Sequence, residues 1–325
     1  MDEVLVQEYA KLYRGWSVEQ LTNGTKTMML GDQSLVRKYG DDLTNYREVK
    51  RANYDFTKAG LLDYDGAYPE VSVGMEWITY RLNYDRAMKL SFDKLDAKEA
   101  DGNGGGLDLP TVMSKLNMLK VIPELDATNM AKCFSVATAN TLKSAPTSST
   151  IIKQLKDAIA ELEEKGIPLS EMQFFMSIDT RNMLIDALGT KSSMYTASMD
   201  FVNSNGVAYK LPAFGEIPIQ AMPKDRFYTE IKRYKKSDQT TSDTNVGYTK
   251  GATAKDGAWL LVPKNYVLPI VKLSDLKIRM DSVTNTTNRN HESSYNIFYD
   301  CLIEKNYEQY IIGSAKETAQ STPSK

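Results

Sequence analysis

The sequence predicts an α+β protein with an extended β-hairpin in front of one long helix and an α/β domain behind it. Three observations carry that prediction. From Leu107-Asp108-Leu109-Pro110 to about Asn140, apolar residues recur at helical spacing through Met113, Leu116, Leu119, Ile122, Met130, Cys133 and Phe134. Roughly a hundred residues ahead of this stretch are rich in strand alternation and turn formers. From Ser148 onward, short buried strands alternate with amphipathic helices. At ~1.5 Å per residue the long helix spans about 50 Å, more than a compact domain requires. A strut of that length carrying a large extension suits the building of assemblies better than the enclosure of a substrate.

Composition narrows the function classes. The chain has 325 residues, 42% hydrophobic and 25% charged, enough to bury a sizeable core. Its net charge of −2 argues against a protein whose main task is gripping nucleic acid. No apolar run reaches the ~18 residues of a membrane-spanning helix. The start, Met1-Asp2-Glu3-Val4, is acidic and lacks a secretory apolar core, so no export is expected. Cys133 and Cys301 have no metal-type spacing and read as buried reduced thiols. The one histidine, His291, excludes paired-histidine metal sites, and a Cys301–His291 nucleophile is formally possible but ten residues apart in strand-like sequence is no signature. No phosphate-binding or zinc-protease motif occurs, and Gly102-Asn103-Gly104-Gly105-Gly106 reads as a hinge. No catalytic, cofactor-binding or metal residues are therefore assigned, and no cofactor is expected.

Along the long helix, Asp108 is placed to cap its start and Pro110 falls in the first turn, where a missing N–H costs nothing. Pro123 should interrupt or kink it near Leu119, because proline removes one helical hydrogen bond. Glu124 and Asp126 read as charges on a solvated face or as contacts to a neighbour. Ahead of the helix, Tyr46 to Thr57 is extended. Val71, Val73, Met75 and Trp77 alternate with polar residues, as do Met88, Leu90 and Phe92, with Asn83-Tyr84-Asp85-Arg86 turning between them. This is a hairpin with one half-apolar face and nothing local to cover it.

Behind the helix, Ser149 or Thr150 caps a helix carrying Ile152, Leu155, Ile159 and Leu162, stopped at Gly166. Gln173 to Ile178 is a buried strand, and Asp179 or Thr180 caps a helix ending at Gly189. Glu216 to Ile219, Phe227 to Ile231 and Ala258 to Pro263 read as strands, with a polar loop over Lys232 to Gly257. Leu276 to Met280 and Tyr295 to Ile303 are the closing strands, followed by Tyr310 to Ile312, and Ser314 to Lys325 is a polar tail.

This order, and four stretches of sequence, resemble the major capsid proteins of tailed bacteriophages, the Hong Kong 97-type fold. The stretches run from Asn83 to Asp96, Val121 to Phe134 (Val-Ile-Pro-Glu-Leu-Asp-Ala), Ile217 to Tyr228, and Ser293 to Ile312. The glycine-rich insert from Gly102 to Leu107 departs from the family's acidic run. The resemblance implies an N-terminal arm (1–41), an extended hairpin loop (42–100), a spine helix of the peripheral domain (101–147), an axial α/β domain (148–272), returning peripheral strands (273–313) and a flexible tail (314–325). It also implies a homo-oligomer: hexamers and pentamers of an icosahedral shell, built in the host bacterial cytoplasm and enclosing double-stranded DNA in the virion.

In that setting the hairpin lies across a neighbouring subunit and the arm reaches under it. Scaffolding, portal and decoration proteins are implied partners, DNA touches the shell weakly, and no membrane is involved. The residues assigned to the assembly interface are Val71, Val73, Met75, Trp77, Asp85, Arg86, Pro123, Glu124 and Asp126. Arg86 of the extension is expected to pair with Glu124 or Asp126 of another subunit, the alternative being that Asp85 holds Arg86 within the same turn. The basic cluster Lys232, Arg233, Lys235 and Lys236 reads as a solvated loop base, with an inter-subunit or DNA contact as the alternative. The alternatives are an encapsulin-type shell with protein cargo, a tail-tube or adaptor protein, and an enzyme using Asp179, Asp186 or the Cys301–His291 pair.

Overall fold

The apolar period over the long stretch does produce one nearly continuous helical run. The computed structural model describes residues 16–17, 19–21, 23–31, 36–38, 47–55, 74–93, 109–140, 142–189, 198–202, 208–238, 245–279, 290–303 and 305–316. Helix α1 (Leu109–Leu116) passes through a π-helical turn (Asn117–Val121) into α2 (Ile122–Asn140). The interruption falls where Pro123 predicts it. The Ile122 N–H bonds Asn117 O, five residues back. Pro123 has no N–H to continue either pattern, and the widened turn relieves its ring against the Leu119 carbonyl. The Asp108 cap and the glycine-rich hinge lie outside the described residues.

Two sheets share this helix. Strands β1 (Val36–Lys38), β2 (Glu48–Asp55) and β3 (Gly74–Arg81) form an antiparallel sheet in that order. Strand β4 (Tyr84–Asp93) leaves it and pairs with a later strand, Asn290–Ile303. The expected hairpin is thus corrected. Its two arms are β2 and β3, and Leu82-Asn83 is a crossing between sheets, not a hairpin turn. The Asn83 N–H and Nδ2 both donate to Asp300 Oδ2, at 3.2 and 2.6 Å, which fixes that crossing.

After β5 (Leu142–Lys143) and α3 (Ile151–Glu164) come β6 (Met172–Ser177), α4 (Ile178–Gly189), β7 (Ser198–Val202), β8 (Ala208–Phe214) and β9 (Ile217–Met222). The cap of α4 is Ser177, not Asp179 or Thr180: its Oγ accepts the Thr180 N–H at 3.2 Å. Strands β10 (Ile231–Arg233) and β11 (Tyr248–Lys250) pair inside the stretch expected to be a loop. Phe227 to Glu230 forms only an isolated bridge, Tyr228 to Asp256. Then follow β12 (Gly257–Pro263), β13 (Val267–Arg279), β14 (Asn290–Ile303) and β15 (Ile312–Ala315).

A seven-stranded sheet has the order β5-β15-β12-β6-β9-β8-β7, and β13-β14-β4 forms a second antiparallel sheet. Strand β13 runs unbroken across the boundary drawn at 272/273. Ser314, expected to begin a loose tail, is fully buried in β15 opposite Trp259.

The continuous apolar runs of the central strands follow from burial on both faces. Phe174, Met176, Trp259 and Leu261 pack with Leu155 and Leu162 of α3 and Leu184 of α4. Their alternates Phe175, Leu260 and Val262 pack with Met130, Cys133, Phe134 and Ala137 of α2. Gly257 is required there: a Cβ would lie 2.5 Å from the Phe134 ring and 2.7 Å from Phe227. The front of the helical run packs elsewhere, with Met113, Val121, Ile122 and Leu125 against Val271, Ile297 and Tyr299 of the β13–β14 sheet. Leu21 and Met28 complete that cluster. Leu21 and Met28 of the arm therefore pack on the spine helix of their own subunit.

Candidate assembly surface

On β3 the residues Met75 and Trp77 are 55% and 44% exposed. Large apolar side chains in open view on a strand are what the alternation predicts for a face covered by something else. Val71 and Val73 lie outside the described residues. Exposed Met118 and Leu119 sit on the π turn, beside Pro123 in the sequence.

The charged residues are arranged differently from the expectation. Asp85 pairs with Arg47, whose guanidinium also lies over the Phe298 ring, 4.9 Å from its centroid. The Arg86 Nε lies 2.7 Å from Glu124 Oε1 of the same chain. Its Nη2 donates to Glu124 Oε2 at 3.2 Å and to Gly247 O at 3.0 Å, and its Nη1 donates to Tyr234 O at 2.7 Å. The inter-subunit pairing expected of Arg86 and Glu124 is corrected: the pair closes within one subunit. One side chain clamps β4 to the spine helix and to both flanks of the loop between β10 and β11.

Glu124 Oε1 also accepts the Tyr299 hydroxyl at 2.8 Å. Burial pushes the Tyr299 phenol above its ordinary pKa, and the Glu124 charge pushes the same way. Tyr299 stacks on Tyr84 at 5.3 Å, and the Arg233 guanidinium lies 3.7 Å over the Tyr84 ring while Nη2 donates to Thr128 Oγ1 at 2.8 Å. Arg233 is therefore part of this packing, not of a solvated loop base.

Asp126 is fully buried and is not an interface residue. The N–H and Oγ1 of Thr27 donate to its Oδ1 at 3.2 and 3.0 Å, and Arg226 Nη1 reaches Oδ2 at 3.3 Å. Asn129 Nδ2 donates to Thr27 Oγ1 at 2.8 Å. Desolvation raises the Asp126 pKa against the lowering pull of Thr27 and Arg226. This network ties the N-terminal segment to the spine helix.

Sequence reasoning missed Arg47, Thr27, Arg226, Tyr84 and Tyr299. Arg226 stands in one of the resembling stretches, but nothing local couples it to a carboxylate a hundred residues away. The Cys301–His291 arrangement does not form: both residues sit on β14, ten positions and so ~33 Å apart in an extended strand. Cys301 instead meets Cys133, and that contact together with burial holds its thiol well above the ordinary range. Among the described residues no three metal-ligating side chains converge.

No family model matches the sequence, and no curated protein matches it. Solved structures do. The chain is similar to the mature capsid of bacteriophage PhiM1 with a TM-score of 0.50 and 10% identity, over 84% of this chain and 82% of that one. It is similar to the capsid of cyanophage P-SCSP1u with a TM-score of 0.49 and 11% identity, over 84% of each. A virus-like particle from Pyrococcus furiosus gives 0.47 and 9%, over 94% of this chain and 98% of that one. With its hairpin, spine helix and two sheets in this order, the chain has the Hong Kong 97-type capsid fold.

Proposed function

We propose that this chain is the major capsid protein of a tailed bacteriophage, whose copies form the hexamers and pentamers of an icosahedral shell around double-stranded DNA. The observation that carries the reading is the fold shared with the PhiM1 capsid subunit over most of both chains. The exposed Met75 and Trp77 face supports it, since an isolated subunit leaves that surface in water.

In this reading the part of residues 42–100 ahead of β4 is the extension that crosses a neighbour, while β4 joins 101–147 and 273–313 in the peripheral domain, and 148–272 form the axial domain around the capsomer centre. Assembly takes place in the host cytoplasm with scaffolding and portal proteins, and decoration proteins bind afterwards. The near-neutral charge suits a wall that packaged DNA touches weakly, because strong phosphate contacts would hold DNA during entry.

The test is expression of the chain with and without a scaffolding protein, followed by sedimentation and electron microscopy. Closed shells or capsomers are expected, and particles purified from infected cells should hold nuclease-protected DNA. Protein cargo in place of DNA would move the reading to an encapsulin-type compartment. A chain that stays monomeric under every condition would overturn it.

A further inference from the structure

Strands β6 and β9 run parallel, with Met176 and Ser177 opposite Ala221 and Met222, so both finish at the same end of the seven-stranded sheet. In open α/β sheets the carboxyl ends of parallel strands are where ligands gather. Three cationic side chains reach this place from three elements. Lys26 comes from the N-terminal segment, and its Nζ donates to Ala221 O at 2.6 Å. Arg181 stands in the first turn of α4, which starts directly after β6. Arg226 closes the short 3-10 turn after β9 (Lys224–Arg226) and reaches Asp126 Oδ2.

The charges gathered there do not balance. Among the described residues Asp126 is the only carboxylate in ion-pair contact with any of the three, and it holds Arg226 alone. Asp179, beside Arg181 on α4, is taken by Lys316 at 3.1 Å. Burial holds the Lys26 ammonium below the ordinary lysine range, and the charges of Arg226 and Arg181 push the same way against the pull of Asp126. Cations collected in this way repel one another unless an anion lies among them.

Donors are left over as well. The Nε atoms of Arg181 and Arg226 are both buried, and among the described residues no acceptor meets either. Buried donors in folded proteins are almost always satisfied. Arg226 meets Asp126 through Nη1, so the edge formed by its Nε and Nη2 is open for a two-pronged grip. The Arg181 Nη2 donates to Asn182 Oδ1 at 3.3 Å, and the Lys26 ammonium has donors to spare beyond Ala221 O. Donors arriving from three elements exceed what the two oxygens of a carboxylate can take. They suit a tetrahedral oxyanion, which presents oxygens on every side.

We propose that Lys26, Arg181 and Arg226 form a binding site for a phosphate group at the carboxyl ends of β6 and β9. The bound anion neutralises the excess charge, occupies both buried Nε donors and ties the N-terminal segment, α4 and the turn after β9 together. Inorganic phosphate and a phosphodiester of DNA both carry this chemistry. The site stands apart from the shell reading, which neither needs nor forbids it.

Calorimetric titration of the full-length chain with potassium phosphate, against potassium chloride of equal ionic strength, tests it. Saturable binding of phosphate is expected. Arg181→Gln should weaken it by about tenfold or more, the scale of one charge-assisted hydrogen bond. Circular dichroism checks that this variant keeps the fold, and Lys26→Gln serves as the second variant. Arg181→Lys, which restores the charge without the guanidinium edge, should recover part of the affinity. Duplex DNA is the other arm. Where a DNA phosphate fills the site, Arg181→Gln lowers the slope of log affinity against log salt by about 0.9. An unchanged slope beside lost phosphate binding assigns the site to free phosphate.

Phosphate binding that both Arg181→Gln and Lys26→Gln leave unchanged overturns the proposal. So does absence of saturable phosphate binding together with a DNA slope that Arg181→Gln does not alter, water then serving the two buried donors. Shells that still form in either case leave the shell reading standing.

Discussion

Arg86 is the residue on which the subunit's internal geometry turns. Its guanidinium satisfies Glu124 and two loop carbonyls, and Glu124 in turn holds the Tyr299 hydroxyl. A rim charge between subunits would leave the isolated chain's stability untouched when removed. This residue behaves otherwise. Arg86→Ala strands a largely buried carboxylate and frees the loop base, and it should lower unfolding stability by about 1.5–3 kcal/mol, the range of hydrogen bonds to charged groups. Urea unfolding of the unassembled subunit measures this, and an unchanged midpoint would return Arg86 to an external role. Asp126 adds a pH dependence. Its carboxyl pKa is raised by burial, so the unfolded chain gives up that proton more readily than the folded one. The stabilising contribution is complete below the ordinary aspartate range and is lost as pH rises through the folded pKa. Relative to Asp126→Asn, which cannot titrate, the native protein should lose stability between acid and neutral pH. Unfolding midpoints of the two proteins across that range check it, and a difference that stays flat or reverses sign contradicts it.

At the scale of elements, periodicity was a good guide and partnership was not. The spine helix, α3, β6 and β12 lie close to where apolar spacing puts them, because each pattern is local. Which strand pairs with which is not local. Strand β3 sits next to β4 in sequence yet pairs with β2, and β4 pairs with β14 some two hundred residues away. The same holds for the site: Arg86 and Glu124 are 38 positions apart, and Thr27 and Asp126 are 99. Neither alternation nor charge counting couples residues at that range, so carboxylates on a helix read as solvated when they face the interior. Pro123 is the local signal with the clearest structural consequence. A π turn holds one residue more than an α turn, and contracting it without deletion would rotate α1 by about 100° against α2. That rotation would expel Met113 and Asn117, both 1% exposed. Pro123→Ala alone should therefore keep the π turn and change stability by no more than about 1 kcal/mol. Pro123→Ala with deletion of Leu119 should give a continuous α-helix with both faces in register. Hydrogen exchange at 117–123 distinguishes the two, and a regular α-helix in the single variant would show that the proline alone imposes the turn.

On the scale of the whole molecule, the spine helix carries two sheets at its two halves, and among the described residues most large apolar side chains are buried. Several of the exposed ones suit a shell. Met75 and Trp77 on β3, Met118 and Leu119 on the π turn, and Ile178 and Ile185 on α4 stand in pairs on three elements. A subunit in a closed lattice meets several neighbours, and several exposed apolar patches suit that task better than a single self-complementary one, which would stop at a dimer. The hairpin patch allows the sharpest separation of folding from assembly, because β3 contributes these side chains to no core cluster among the described residues. Met75→Asp with Trp77→Asp changes two side chains that are about half exposed on a strand, so the unfolding free energy of the isolated subunit should fall by only about 1–2 kcal/mol, the scale of strand propensity and partly exposed positions. In the lattice each substitution places a carboxylate where an apolar side chain was to be covered, at a cost of several kcal/mol per contact if the charge is buried unpaired. The double variant should fold with native circular dichroism and sediment as small species at concentrations where the native chain builds shells. Shells of normal size from a folded double variant would mean that the hairpin face is left in water in the assembled state too, and that assembly runs through the spine and α4 patches alone.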